Sequence, residues 1–299
     1  MAAWSEFVFF NEDPSEALIA ALNQGILPAF AYVFELALFY LVPSSFLIGL
    51  MGLSGSRGAA RVLLLGALTG YSIEGAMVPA VYEAFPISFL WTAVAWHGPI
   101  TVAFGLFVMP RLIARGSVLK GGATAICVGI AWALWTTWTW GDVAFSPVAP
   151  ADFMAFAAAT TTTMACGYLI LQLAGWPNAV LPRWVSLLFT LPSAVFLVLQ
   201  GLPVPLLGLG VWIIVGLLTA LLLWLGRAYV DPYRGGWGAV GSPLIVLISV
   251  ALSYAVLFET GPLIESEELF GVVFVGGFLV WVVGIAVGVK RNLNEKRAL

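Results

Sequence analysis

Long apolar runs with almost no charge are the feature that most constrains how this chain can fold. A helix crosses the hydrocarbon core of a bilayer with about 20 mostly apolar residues, and about nine runs meet that criterion. Hydrophobic residues make up 62% of the chain and charged residues 9%, well outside the usual composition of soluble domains. The sequence therefore predicts an all-α fold, a polytopic integral membrane helix bundle with about nine transmembrane helices. The predicted spans are 27–52, 61–83, 87–110, 121–141, 152–175, 183–200, 204–228, 239–258 and 269–289.

The basic residues give an independent test of this count. Short cytoplasmic loops of membrane proteins are enriched in Lys and Arg. With nine spans, all twelve basic residues fall on one side of the membrane, while the N-terminal acidic residues and the acidic residues of the other loops fall on the opposite side. Adding or removing one span destroys this separation. We therefore expect the N-terminus outside, the C-terminus in the cytoplasm, and a multi-pass protein of the cell membrane, which is the cytoplasmic membrane if the source is prokaryotic.

No polar stretch between the apolar runs is long enough to fold alone, so the sequence predicts a single transmembrane domain over residues 27–289. An acidic extracytoplasmic arm, 1–26, precedes it and a basic cytoplasmic tail, 290–299, follows it. Within the arm, Asp13 and Pro14 are typical of a helix start. The arm is interpreted either as a short helix lying on the outer membrane surface or as an acidic, partly disordered tail.

Two ionisable residues stand out inside the predicted spans, Glu74 in the second and His97 in the third. Gly66 and Gly70 precede Glu74 at intervals of four residues, so the three share one helical face. Glycines at that spacing let a neighbouring helix approach closely, which turns Glu74 towards the interior of the bundle. Pro99 follows His97 and lacks a backbone donor, which frees a carbonyl one turn earlier. An ionisable side chain at this depth is expected to face other helices or water.

A second carboxyl group, Glu35, lies in the first span. At about 1.5 Å per helical residue, Glu35, Glu74 and His97 all lie roughly 10 to 15 Å from the outer ends of their spans. Consecutive helices joined by short loops are usually neighbours, and a carboxyl paired with an imidazole can take up and release protons. The sequence therefore predicts a substrate-binding or proton-binding site in the outer half of the bilayer. Three tyrosines flank the same stripes and complete the candidate set: Tyr32, Tyr71 and Tyr82.

A purely structural interpretation of these residues stays open. Glu74 can be a neutral acid that bonds to Tyr71, to Tyr32 or to a backbone carbonyl, and His97 can donate to a carbonyl in a satisfied core. Glu35 is close enough to the outer surface to reach water.

Small residues in two other spans predict helix packing. The threonines of residues 160–163 are expected to bond back to carbonyl groups of the preceding turn. Gly277, Gly284 and Gly288 lie on one stripe of the last span and predict a face that packs closely against a neighbour.

Several kinds of site and partner are not supported by the sequence. A net charge of −3 gives no basic face for nucleic acid. With one histidine and no Cys/His zinc spacing, no metal site is predicted, and no cofactor is expected. The expected partners are the lipid bilayer and a small-molecule, ion or lipid ligand, with a homo-oligomer or a membrane-protein partner as open alternatives.

The leading functional hypothesis is a membrane transporter or channel for a small solute or ion, with proton coupling through the Glu/His site as its further expectation. One alternative is an intramembrane enzyme that acts on a lipid or isoprenoid by carboxyl and imidazole acid-base chemistry. Another is a noncatalytic membrane subunit that docks a partner. The sequence does not decide whether the protein is an enzyme.

Overall fold

A computed structural model describes residues 13–109, 111–112, 118–140, 147–174, 181–228 and 238–297. Helices dominate this part of the chain, and its described residues form no β-sheet. The fold is an all-α polytopic helix bundle, as the apolar runs predict. The predicted N-terminal arm is described only from Asp13, where the first described helix begins.

The helices are numbered in chain order. The first part of the chain contains α1 (Asp13–Gln24), α2 (Ile26–Phe39), α3 (Leu41–Ser54), α4 (Ala59–Tyr71), the π-helix π1 (Ser72–Met77), α5 (Ile87–Leu90) and the π-helix π2 (Trp91–Val108). The second part contains α6 (Val118–Thr136), α7 (Pro150–Ala174), α8 (Arg183–Gly201), α9 (Pro205–Trp224), α10 (Gly238–Thr260) and α11 (Ser266–Arg297).

Within the described residues, 8 helical segments are long and apolar enough to cross a membrane. They correspond to all the predicted spans except 61–83, so the protein is membrane-embedded and multi-pass. In that remaining span, α4 continues directly into π1, and Val78 then takes an extended conformation before the 3₁₀ turn Pro79–Tyr82. The helical part of this span therefore ends at Met77, before the predicted end of the span at residue 83.

The chain divides into two compact units whose segments alternate along the sequence. Unit 1 comprises residues 1–39, 108–176 and 232–272, and unit 2 comprises residues 40–107, 177–231 and 273–299. Unit 1 therefore contains α1, α2, α6, α7 and α10. Unit 2 contains α3, α4, π1, α5, α8, α9, most of π2 and most of α11.

In unit 1, α10 packs against both α6 and α7. Phe153 of α7 stacks on Tyr254 of α10 with ring centroids 3.7 Å apart, and the Tyr254 hydroxyl donates to the carbonyl oxygen of Val148 at 2.8 Å. The threonines of α7 behave as predicted, because each hydroxyl donates to a carbonyl three or four residues earlier. Helix α1 contacts α2 and α7, and its Leu18 is fully buried.

In unit 2, the predicted glycine stripe of α11 packs closely against neighbouring backbone. A Cβ atom at Gly288 would lie 2.5 Å from Ala60 Cβ, and Gly284 lies directly against Leu63. On the same helix, Trp281 donates its indole N–H to the carbonyl oxygen of Leu63 at 3.1 Å. The small side chains thus allow α4 and α11 to approach closely, which fixes the helix that leads to Glu74.

Candidate functional site

Helix α4 reaches π2 through the two glycines of the predicted stripe. A Cβ atom at Gly66 would lie 2.7 Å from both the Cα and the carbonyl oxygen of Gly98. A Cβ atom at Gly70 would lie 2.6 Å from Ala93 Cα and 3.0 Å from His97 Cβ. Because real Cβ contacts are wider than this, only glycine permits such a close approach of the two helices.

This approach brings Glu74 and His97 together. The Oε1 atom of Glu74 lies 3.1 Å from Nε2 of His97, a hydrogen-bonding distance. The His97 side chain is 1% exposed and the Glu74 side chain 12% exposed. The imidazole is therefore buried in the helix packing, and the carboxyl group retains a small exposed area.

The second nitrogen of the imidazole also has a partner. Nδ1 of His97 lies 3.1 Å from Oγ1 of Thr101, a buried hydroxyl on the same helix. An ionised carboxylate can only accept hydrogen bonds, so a neutral imidazole beside it carries its proton on Nε2 and accepts the threonine proton at Nδ1. A protonated imidazole donates from both nitrogens, and the Thr101 oxygen then becomes an acceptor. The geometry accommodates both protonation states without a change of partner.

The helix that carries His97 is unusual in its winding. Residues 91–108 form a π-helix of 18 residues that continues through Pro99. The sequence predicted that Pro99 would free the carbonyl of Ala95, and in the structure this carbonyl lies against Gly277 of α11. Most π-helical segments are single turns, and they occur frequently at functional sites.

A second polar contact involves the same π-helix, π1, and was not predicted from the sequence. The hydroxyl of Ser72 on π1 lies 2.7 Å from the hydroxyl of Ser193 on α8. The two side chains are 3% and 2% exposed. Ser72 lies two residues before Glu74, and Ser193 follows the helix-internal Pro192. In the sequence, Ser193 is marked by its place directly after a proline inside an apolar span.

The candidate tyrosines of unit 2 contact backbone carbonyls. The Tyr71 hydroxyl donates to the carbonyl oxygen of Phe89 at 3.3 Å, and the two rings lie 4.9 Å apart. The Tyr82 hydroxyl donates to the carbonyl oxygen of Leu197 at 3.3 Å, which also accepts the indole N–H of Trp212 at 3.1 Å. These contacts tie the end of α4 to α5 and the turn after π1 to α8, so both tyrosines hold the elements on either side of π1 in position.

Glu35 and Tyr32 lie on α2, in unit 1. The Glu35 side chain is exposed and Tyr32 is partly buried. The Glu74–His97 contact is made entirely within unit 2. The predicted participation of Glu35 and Tyr32 stays a prediction.

Within the part of the chain that the structure describes, no three side chains of the types His, Cys, Asp and Glu group closely enough to hold a metal ion. The thiols of Cys127 and Cys166 are both free and exposed. The chemistry that these residues offer is therefore that of a carboxyl group, an imidazole and three hydroxyl groups.

Comparisons of the chain with models of protein families, with curated proteins and with solved structures return no match. The function proposed below therefore rests on the geometry of this site.

Proposed function

We propose that the protein is a membrane transporter or channel for a small solute or ion, and that Glu74 and His97 form its proton-binding site. The observation that carries the proposal is the 3.1 Å contact between these two side chains inside an apolar helix bundle. Ionisable groups are costly inside a membrane, and they usually mark ion or proton pathways.

The pair suits proton binding because its members share a proton and favour each other's charged form. The imidazole becomes a cation when it is protonated, and the adjacent carboxylate stabilises that cation. When the proton leaves, the carboxylate and the neutral imidazole keep the same hydrogen bond, with Nε2 as donor.

The surroundings of the pair support movement of a proton or solute past it. The two serines place further hydroxyl groups beside π1, at a contact between π1 and α8. Pro99 lies within π2 and Pro192 within α8. Irregular backbone at membrane depth is tolerated where it is buried in protein or lines a water-filled cavity. A pathway for the proton or solute along π1, π2 and α8 accounts for the π-helical winding and the two prolines.

We place the protein in the cell membrane with its N-terminus outside and its C-terminus in the cytoplasm. The distribution of the twelve basic residues supports this orientation. In this orientation the Glu74–His97 pair lies in the outer half of the bilayer, where it takes up protons from the extracytoplasmic side.

Proton flux into liposomes tests the proposal directly. The full chain is reconstituted with a pH-sensitive dye in the lumen, and a potassium diffusion potential set with valinomycin drives protons inward. We expect a flux in the wild type that Glu74→Gln and His97→Gln reduce by about tenfold or more, because each removes one of the two proton-binding groups. Glu83→Gln is the matched control, since Glu83 is an exposed carboxyl of unit 2 outside the pair. A flux that all four proteins share, or no flux in any of them, overturns the proton-binding role.

A further inference from the structure

A second polar feature of unit 2 lies away from the Glu74–His97 pair, at the opposite end of α4. A cavity of about 330 Å³ is formed by the start of α4, the residues after α9 and the C-terminal part of α11. Three arginines and one glutamate line it: Arg57, Arg61, Arg291 and Glu295. Its volume is at the lower end of the range for small-ligand sites, roughly 300 to 1,000 Å³.

One of these arginines is held in place by backbone carbonyl groups. Nε of Arg61 donates to the carbonyl oxygen of Gly226 at 2.9 Å, and Nη1 donates to that of Arg57 at 2.9 Å. Nη2 donates to the carbonyl oxygen of Leu225. These contacts fix a positive charge at the cavity wall and cap the C-terminal end of α9.

The other two guanidinium groups are accessible to a ligand. The backbone of Arg57 is anchored, because its N–H donates to the carbonyl oxygen of Ala228 at 2.9 Å, while its side chain is exposed. Nε of Arg291 lies 3.0 Å from Oε1 of Glu295, with side-chain exposures of 78% and 63%. An exposed ion pair of this kind contributes little stability and is easily exchanged for another anion.

The backbone around the cavity adds further donors. Helix α4 begins at Ala59 after Gly58, which has a φ of +94° and provides no side-chain cap for the first N–H groups. Such a helix start carries a partial positive charge and is suited to anions. The side-chain nitrogen of Asn292, which also lines the cavity, is buried and has no hydrogen-bond partner among the described residues.

We propose that this cavity binds an anion that carries a phosphate group. Guanidinium groups bind phosphate oxygens through paired N–H donors, and the uncapped helix start supplies additional donors. The arginines lie on the side predicted to be cytoplasmic, where basic pockets between transmembrane helices bind anionic lipid headgroups. The phosphate group therefore comes either from an anionic phospholipid or from a free phosphate ion. This site does not depend on the proton-binding role of Glu74 and His97.

The test uses the purified full chain and two probes. The first is inorganic phosphate, compared with chloride at equal ionic strength. The second is phosphatidylglycerol in mixed micelles, compared with phosphatidylcholine. Binding of either probe to the folded state raises the thermal unfolding midpoint in a concentration-dependent way, and native mass spectrometry counts the retained lipid. Protection by the lipid alone identifies a headgroup site, and protection by inorganic phosphate identifies a site for the free ion.

Paired variants separate the cavity from general surface charge. We expect the double variant Arg57→Gln with Arg291→Gln to raise the half-saturating probe concentration by about tenfold or more, because two charge-assisted contacts are lost. Glu295→Gln is expected to lower that concentration, because it removes the only acid that lines the described cavity. Lys290→Gln and Arg183→Gln, two exposed basic positions outside the cavity lining, should bind as the wild type does. Equal half-saturation in the wild type and the double variant, or no binding of either probe to the wild type, overturns the proposal.

Discussion

Thr101 contacts the imidazole nitrogen of His97 that does not face Glu74. The threonine oxygen lies 3.1 Å from Nδ1, while the carboxylate oxygen lies 3.1 Å from Nε2. Thr101 lies four residues after His97 on π2 and is 4% exposed. Its hydroxyl is therefore a fixed partner for Nδ1 in both protonation states, because it can donate to a neutral imidazole and accept from a protonated one.

Replacement of Thr101 by Val tests this assignment. The change keeps the branched shape and removes the hydroxyl, so Nδ1 loses its partner and is left buried without that hydrogen bond. We expect the proton flux to fall roughly fivefold to tenfold, in line with the loss of one buried hydrogen bond. Because His97 is the only histidine of the chain, the ¹⁵N signals of labelled histidine report the hydrogen bond at Nδ1 directly by NMR. Thr101→Ser should restore the wild-type spectrum, whereas a wild-type spectrum in Thr101→Val would contradict the assignment.

The close packing around Gly70 gives a second prediction, because this position has no room for a side chain. Gly70→Ala places a methyl group 2.6 Å from Ala93 Cα and 3.0 Å from His97 Cβ, so α4 and π2 must separate. Overpacking of this kind typically costs about 1 to 3 kcal/mol, and we expect a lower unfolding midpoint in detergent together with a weakened contact between Glu74 and His97. Gly210→Ala is the control in the same unit, since nothing lies within 4 Å of its added methyl group. It should be neutral or stabilising by up to about 1 kcal/mol. Equal midpoints for the two variants would contradict the packing argument.

The sequence predicted the parts of the site that depend on regular helix geometry. The interval of four residues that joins Gly66, Gly70 and Glu74 places them on one face. The structure shows that this face lies against π2 and His97. Apolar run length likewise predicted the membrane helices, because the thickness of the bilayer sets their minimum length.

The remainder of the site depends on features that have no local pattern. Ser72 and Ser193 lie 121 residues apart in sequence, so only the packing of α8 on π1 brings them together. The π-helical winding of residues 72–77 and 91–108 also escapes periodicity analysis, because it changes which side chains share a face. For Tyr71 and Tyr82, a hydroxyl inside a span indicates that a partner is needed but does not identify that partner as a carbonyl.

The contact between Ser72 and Ser193 gives a third prediction. Each single change to Ala removes the hydrogen bond and leaves the other hydroxyl buried, which typically costs about 1 to 3 kcal/mol. The double change removes both hydroxyls, so it should cost less than the sum of the two single changes. We expect a coupling energy of about 0.5 to 1.5 kcal/mol from the double-mutant cycle, measured by unfolding in detergent. Strict additivity would show that the two hydroxyls do not interact. As a control, a cycle that combines Ser72→Ala with Thr162→Ala, a change at an exposed position of α7, should be additive.

The pH dependence of proton flux gives the fourth prediction. His97 is the only histidine of the chain, and histidine is a common proton-binding group of pH-dependent proteins. As the external pH rises, the Glu74–His97 pair spends less time protonated, so inward flux at a constant driving potential should decline with a profile that depends on the imidazole. In His97→Gln the imidazole is absent, and the small remaining flux should follow a different pH profile. Glu83→Gln keeps the imidazole and should keep the wild-type profile. If His97→Gln retains the wild-type profile, another group binds the transported proton, and His97 has a structural role in holding π1 against π2.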